Sequence, residues 1–191
     1  PGYSILKKHE TPIEWIPKIS KLCKKINIFF ICSPFFLDAI DILKKNKCDA
    51  LKIASPEIKN IPLVEKCLNT KLPIIISTGY CEKKDIDRVY SLIKKNKKNS
   101  FGLLHCVSEY PAKINSSNLN MINFLKQNYK NIAIGFSDHS IGVDISIYGV
   151  SMGAAIIEKH ITLSKTQNGP DHFFALNPDE LIDLVKKIRK F

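Results

Sequence analysis

Six short, almost wholly apolar runs recur along the 191-residue chain, at 28–32, 50–53, 73–77, 102–106, 132–135 and 154–158. Unbroken apolarity over four or five residues is the pattern of strands covered on both faces. Between the runs, apolar residues return at helical spacing. Ile40, Leu43 and Lys44 share one face, and Ile86, Val89, Tyr90 and Ile93 form a second stripe. Ile122, Phe124 and Leu125 lie in a third helix; Leu181, Leu184, Val185 and Ile188 lie in the last. Pro178 followed by Asp179 and Glu180 is a helix start, and Pro12 with Glu14 opens another helix over residues 13–25.

Strands alternating with helices predict parallel βα units. The runs repeat every 22 to 30 residues or so, short enough for a (β/α)8 TIM barrel. A doubly wound sheet is the alternative, but no G-x-G-x-x-G follows any strand. Polar residues also follow every run: Ser33; Ser55 and Glu57; Ser77 and Thr78; Ser108 and Tyr110; Ser137 to His139; then His160. A barrel gathers all such strand ends into one pocket, whereas an open sheet leaves the outer ones far apart. The expected fold is therefore α/β, a partial barrel of about six βα units in one domain over 1–191, lacking the first two units of eight. The run at 28–32 then forms an open parallel edge.

Composition narrows the function. A hydrophobic fraction of 45% with 25% charged residues is ordinary for a globular chain. The longest apolar stretch is broken by Ser33 and Pro34, well short of the roughly 20 residues of a membrane span. No signal peptide opens the chain, so a cytoplasmic protein without a membrane anchor is expected, although it starts at Pro1 rather than Met. The net charge of +11 invites a nucleic-acid reading, but only Arg88 and Arg189 are arginine and the lysines are scattered along helices. Base and phosphate recognition favours arginine's planar fork, so no nucleic-acid partner is expected. The six cysteines form no C-x-x-C pair and several fall in apolar runs, which predicts reduced, mostly buried thiols.

Three features carry chemistry. His139 and His160 close consecutive runs, and neighbouring parallel strands lie about 4.8 Å apart, so both imidazoles can bind one divalent metal. The alternative is two histidines satisfied by hydrogen bonds at a loop rim. Asp171, on the next loop, is either an outer acid of that metal, an acceptor for a substrate hydroxyl, or a turn residue beside Pro170. Lys52 sits inside an apolar strand, where an unpaired ammonium is costly. It requires an anion: a substrate phosphate or carboxylate, with Ser33, Ser55 and Ser77 as further donors, or Glu57 or another barrel acid. Ser108 and Tyr110 alternate so that both can face the pocket mouth.

Taken in order, Cys32-Ser33-Pro34-Phe35, Lys52-Ile53-Ala54-Ser55, Ser77-Thr78-Gly79, Ser108-Glu109-Tyr110-Pro111, Gly135-Phe136-Ser137-Asp138-His139, Glu158-Lys159-His160 and Gly169-Pro170-Asp171-His172 resemble the sialic acid synthase family, the N-acetylneuraminate synthases. That resemblance implies an enzyme that condenses phosphoenolpyruvate with an N-acylated hexosamine such as N-acetylmannosamine, giving a nine-carbon 2-keto acid and phosphate. It implies Mn2+ or Mg2+ on His139 and His160, phosphoenolpyruvate on Ser33, Lys52, Ser55, Ser77 and Ser137, and the sugar on Glu57, Tyr110 and Asp171. Ser108 stands where acetylneuraminate makers often carry Asn, Ser33 where Thr is common and His105 where Lys is common. Residues 11–15 look more like pseudaminic acid synthases, and 169–172 more like neuraminate or legionaminate makers. The resemblance further implies a homodimer at full length. The family's first two βα units and its C-terminal antifreeze-like domain are absent, so the 191-residue piece alone is expected to be inactive and poorly stable. Two rivals stand beside it: another metal-dependent barrel lyase or synthase using an enolate, and a catalytically dead barrel that binds a sugar acid.

Overall fold

A computed structural model describes residues 10–96 and 99–191. Among them, six strands form one parallel sheet: β1 (Ile31–Cys32), β2 (Ala50–Ile53), β3 (Ile74–Ser77), β4 (Phe101–Cys106), β5 (Ala133–Asp138) and β6 (Ile157–Lys159). Seven α-helices accompany them: α1 (Ile16–Lys25), α2 (Leu37–Lys45), α3 (Ile61–Leu68), α4 (Lys83–Lys95), α5 (Asn120–Asn128), α6 (Asp144–Ser151) and α7 (Pro178–Ile188). Spatial strand order equals chain order, β1 through β6, with every pair parallel. A doubly wound sheet reverses its order at a switch point, so this topology is that of a barrel.

The sheet is curled, and one contact demonstrates it. Lys52 on β2 reaches Glu158 on β6 with Nζ–Oε2 3.4 Å, although three strands lie between them. On a flat sheet those strands would stand roughly 19 Å apart at about 4.8 Å per step. The fold is a partial (β/α) barrel, and the concave side is its lumen.

Alternation along each strand sorts the side chains. Leu51, Ile53, Ile74, Ile76, Leu103, Ile134 and Phe136 point outward and are buried under the helices. There they meet Leu63, Val64 and Cys67 of α3, Ile86, Val89 and Ile93 of α4, Ile122 and Leu125 of α5, and Ile145 of α6. The inward row is narrow. A Cβ placed on Gly135 would lie 2.5 Å from Ile156 O and 2.6 Å from Leu104 Cδ2, and one on Gly102 would lie 2.7 Å from Ile156 Cδ1. Glycine here lets Ile156 cross the lumen floor. Gly135→Ala is therefore expected to lower unfolding free energy by about 1–3 kcal/mol, because the nearest obstacle is backbone. The denaturant midpoint measures this, and an unshifted midpoint contradicts the tight floor.

Several expectations need correction. The first strand is only Ile31–Cys32: residues 28–30 lie outside it, with Phe29 83% exposed, while Phe30 N–H donates to Asp49 Oδ2 at 2.7 Å. β5 runs on through Asp138, and β6 covers only Ile157–Lys159. Ile40 and Leu43 are buried as expected, but Lys44 faces solvent. The helix over 13–25 divides into a single 3-10 turn, Ile13–Trp15, and α1. The closing helix starts as predicted, and Asn177 caps it reciprocally with Glu180. All six cysteines are free; Cys48, Cys67 and Cys106 are buried, and burial pushes the Cys67 thiol up to about 12. Among the described residues, no helix is long and apolar enough to cross a membrane.

Candidate active site at the strand ends

The carboxyl ends of the strands converge on the lumen mouth, where barrel chemistry is done. Lys52 is the deepest charged group there. Its side chain is 11% exposed, and its counter-ion is Glu158 rather than Glu57. Glu158 Oε1 in turn accepts a 2.6 Å bond from Ser137 Oγ, the residue opposite it in register. Two strands further round, Ser77 Oγ is buried with no hydrogen-bond partner. A hydroxyl left unsatisfied beside a buried cation is the signature of a ligand position. Ser55 Oγ accepts from Gly79 N–H at 3.0 Å, and Ser108 Oγ lies so close over Gly79 that a Cβ there would sit 2.6 Å from it. Gly79 thus permits β3's loop to nest against β4's.

Above Lys52 and Glu158 sit the two histidines, on the positions immediately after the Asp138–Lys159 register pair. Their ring centres are 5.2 Å apart and their planes 71° apart. His139 is buried and its Nδ1 lies 2.7 Å from Val107 O. A carbonyl only accepts, so Nδ1 carries the proton and Nε2 keeps its lone pair for a ligand. Metal-binding histidines donate their other ring N–H to a carbonyl or carboxylate in just this way. Tyr110 stacks on His139 with centroids 4.1 Å apart and meets His160 edge-on at 5.8 Å. His160 Nδ1 faces Asp171 Oδ2 at 3.6 Å. Burial holds the His160 imidazole below its ordinary value, against the opposing pull of Asp171 and Glu158, so the ring is neutral at pH 7. The loop that carries Asp171 is tied back by a 2.7 Å bond between Thr162 Oγ1 and His172 Nδ1.

The donor set suits a divalent cation. Two imidazoles bound side by side on one ion, with bonds of about 2.1 Å, bring their ring centres to about 5 Å, and the observed separation is 5.2 Å. Among the described residues, no three His, Cys, Asp or Glu side chains form a ready cage. An ion held by this pair keeps positions open, as catalytic metals do.

Not every expected residue joins the cluster. Lys52, Ser77, Ser137, Tyr110, His139, His160 and Asp171 line one cup, with Ser55 and Ser108 at its β3–β4 side. Glu57 instead accepts from Asn60 Nδ2 at 3.0 Å, beside the N-terminus of α3. Ser33 is half-buried at the end of edge strand β1. Two members lacked a role in the sequence reading. Glu158 shares a face with His160, two positions apart, and that period was the available signal. Cys106 Sγ lies 4.0 Å from His139 Nδ1. Burial raises this thiol, but His139 and the hydroxyls of Ser55 and Ser137 more than offset it and leave the thiol below its ordinary value. The Tyr110 hydroxyl is pushed up to about 12, first by burial and then by negative charge at Cys106, Asp171 and Glu158. His105 faces away from the cup, stacked on Phe136 with Nε2 2.8 Å from Ser117 O.

Comparison with known proteins adds identity. N,N'-diacetyllegionaminic acid synthase of Campylobacter jejuni is 41% identical over 169 residues, covering 87% of this chain and 50% of that protein. Pseudaminic acid synthase of Helicobacter pylori is 34% identical over 188 residues, covering 98% and 55%. The crystal structure of N-acetylneuraminic acid (sialic acid) synthetase from Leptospira borgpetersenii, in complex with citrate, superposes with a TM-score of 0.93 at 37% identity, covering 98% of this chain and 65% of that one. The chain spans about half the length of the curated relatives it matches. The sequence profile of the NeuB family matches residues 1–191. The chain belongs to the NeuB family.

Proposed function

We propose that the protein carrying this chain is a sialic acid synthase-type transferase that condenses phosphoenolpyruvate with an N-acylated hexosamine, such as N-acetylmannosamine, to a nine-carbon 2-keto acid and phosphate. One observation carries the reading: two imidazoles with ring centres 5.2 Å apart, one with its tautomer set by Val107 O, stand at strand ends of a sheet whose inward row carries the Lys52–Glu158 ion pair. The relatives' names support the reaction class.

The residues divide the work as follows. Lys52, with the hydroxyls of Ser77 and Ser55, takes the carboxylate and phosphate of phosphoenolpyruvate. Tyr110, Ser108 and Asp171 meet the open-chain sugar. His139 and His160 would hold a divalent cation, Mn2+ or Mg2+, which would supply Lewis-acid polarisation to the sugar's aldehyde oxygen. The enol carbon attacks the aldehyde carbon, leaving an alkoxide on the aldehyde oxygen and a cation at C2. Water adds to the cationic C2 and gives its proton to Glu158, which lies within reach of both Lys52 and Ser137. Glu158 passes that proton to the alkoxide, the C2–O–phosphate bond breaks as the C2 hydroxyl gives its proton to the departing phosphate, and C2 becomes the keto carbon.

The full-length protein with Mn2+, phosphoenolpyruvate and N-acetylmannosamine is expected to release phosphate and keto acid one for one, and to stop on adding a chelator. The acceptors of legionaminic and pseudaminic acid synthases, supplied one at a time, identify the sugar. Binding of phosphoenolpyruvate without turnover on any N-acylated hexosamine would reject the transferase and leave a sugar-acid-binding barrel.

A further inference from the structure

The residues that precede the two histidines are charged, buried and unused by the chemistry above. Asp138 and Lys159 face each other in register on β5 and β6, with Nζ–Oδ2 2.8 Å and side chains 1% and 4% exposed. Strand alternation turns them outward as the histidines turn inward. Asp138 Oδ1 accepts from Ser140 N–H at 2.8 Å, and Oδ2 accepts from Ser146 Oγ of α6 at 2.6 Å as well as from Lys159. Lys159 Nζ also donates to Ser140 O at 2.6 Å. Both Asp138 oxygens are met by donors fixed in direction, and Lys159 Nζ spends two of its three N–H donors on fixed acceptors.

A buried ion pair is a poor source of stability: an apolar pair of the same volume is often as stable or more so. What charge and directed hydrogen bonds add is position. Position matters here because β6 is only three residues long and carries His160 at its end. A one-residue slip of a strand exchanges its two faces. Such a slip would turn His160 out into the helix layer and bring Lys159 into the lumen. An apolar residue at 159 would resist it weakly, whereas an ammonium held by Asp138 and Ser140 O resists it strongly.

We infer that Asp138 and Lys159 are positioning residues: their ion pair, anchored to α6 through Ser146, locks the tips of β5 and β6 in the register that brings His139 and His160 together on one cation. The inference rests on the metal reading of that histidine pair.

The test is the full-length double variant Asp138→Leu/Lys159→Met, measured by calorimetric titration with Mn2+ alone, by thermal unfolding and by the absorption spectrum of bound Co2+. The expected result is a thermal midpoint within a few degrees of the parent, Mn2+ bound roughly 10- to 100-fold more weakly, and an altered Co2+ spectrum. A second variant, Ser146→Ala, removes only the anchor to α6 and is expected to weaken Mn2+ severalfold with little change in stability. A folded double variant that binds Mn2+ within twofold of the parent, with the parent's Co2+ spectrum, overturns the inference alone. If the double variant does not fold, unchanged Mn2+ affinity in Ser146→Ala overturns it. A parent that binds no Mn2+, or binds it equally well as His139→Ala, removes the metal reading and this inference with it.

Discussion

His139→Ala is expected to abolish measurable Mn2+ binding and to lower kcat/KM by roughly 10³-fold, about 4 kcal/mol of transition-state stabilisation. The size follows from the small donor set. With two imidazoles and no third His, Cys, Asp or Glu converging on them among the described residues, loss of one ring leaves a single ligand. His139 is also the better oriented of the two, because Val107 O fixes its proton on Nδ1 while Tyr110 holds the ring plane. His160→Asn separates ligation from packing. Its ring is half-buried and makes no bond shorter than the 3.6 Å approach to Asp171, so the fold loses little when it is replaced. Mn2+ titration of both variants, with a thermal melt as control, measures the effect. Retention of parent-like affinity in His160→Asn, in a protein that still melts normally, would reassign the pair to the loop rim.

Strand ends and histidines were legible because they obey short periods. The apolar runs marked all six strands, and the polar residues after most runs fall at the lumen mouth, whereas Ser33 and Glu57 do not. The Ser137–His139 and Glu158–His160 spacings put each pair on one face of its strand. Partners were harder to read. Lys52 demanded an anion on grounds of burial alone, but only the curl of the sheet selects Glu158 of β6 over Glu57, which follows Lys52 closely in sequence. The Asp138–Lys159 pair was invisible for a similar reason: a charged residue next to a functional one reads as solvent-facing until a helix covers it. α3 and α6 escaped notice because they are short and apolar on most sides. Ile61–Leu68 buries Leu63, Val64, Cys67 and Leu68 and has only Glu65 and Lys66 as charged residues in its eight, too few to mark a period, and α6 buries Ser146 and Gly149 with Ile145. Strand ends shifted by a few residues where the ladder, rather than hydropathy, defines them, as at β5, which carries Ser137 and Asp138 inside the sheet.

Lys52 and Glu158 give the sharpest kinetic contrast, because they are partners with opposite charges and different tasks. With no substrate present, each neutralises the other across the lumen at 3.4 Å. In the proposed reaction the anionic substrate replaces Glu158 as the counter-ion, and the carboxylate, still held by Ser137, becomes free to accept a proton. Lys52→Met removes the cation and is expected to raise KM for phosphoenolpyruvate roughly 100-fold while moving the acceptor's KM far less. Lys52→Arg does not restore it, since a planar fork does not fill the place of a compact ammonium whose side chain is only 11% exposed. Glu158→Gln runs the other way. It removes the internal competitor, so phosphoenolpyruvate binds as tightly as in the parent or more tightly, yet kcat falls roughly 10²- to 10⁴-fold for want of the proton acceptor. Steady-state kinetics with each substrate varied in turn, together with direct binding of phosphoenolpyruvate, resolves the two effects. If Glu158→Gln instead weakens phosphoenolpyruvate binding while kcat holds, the carboxylate is a scaffold for Lys52, and the proton must leave the attacking water by way of another group.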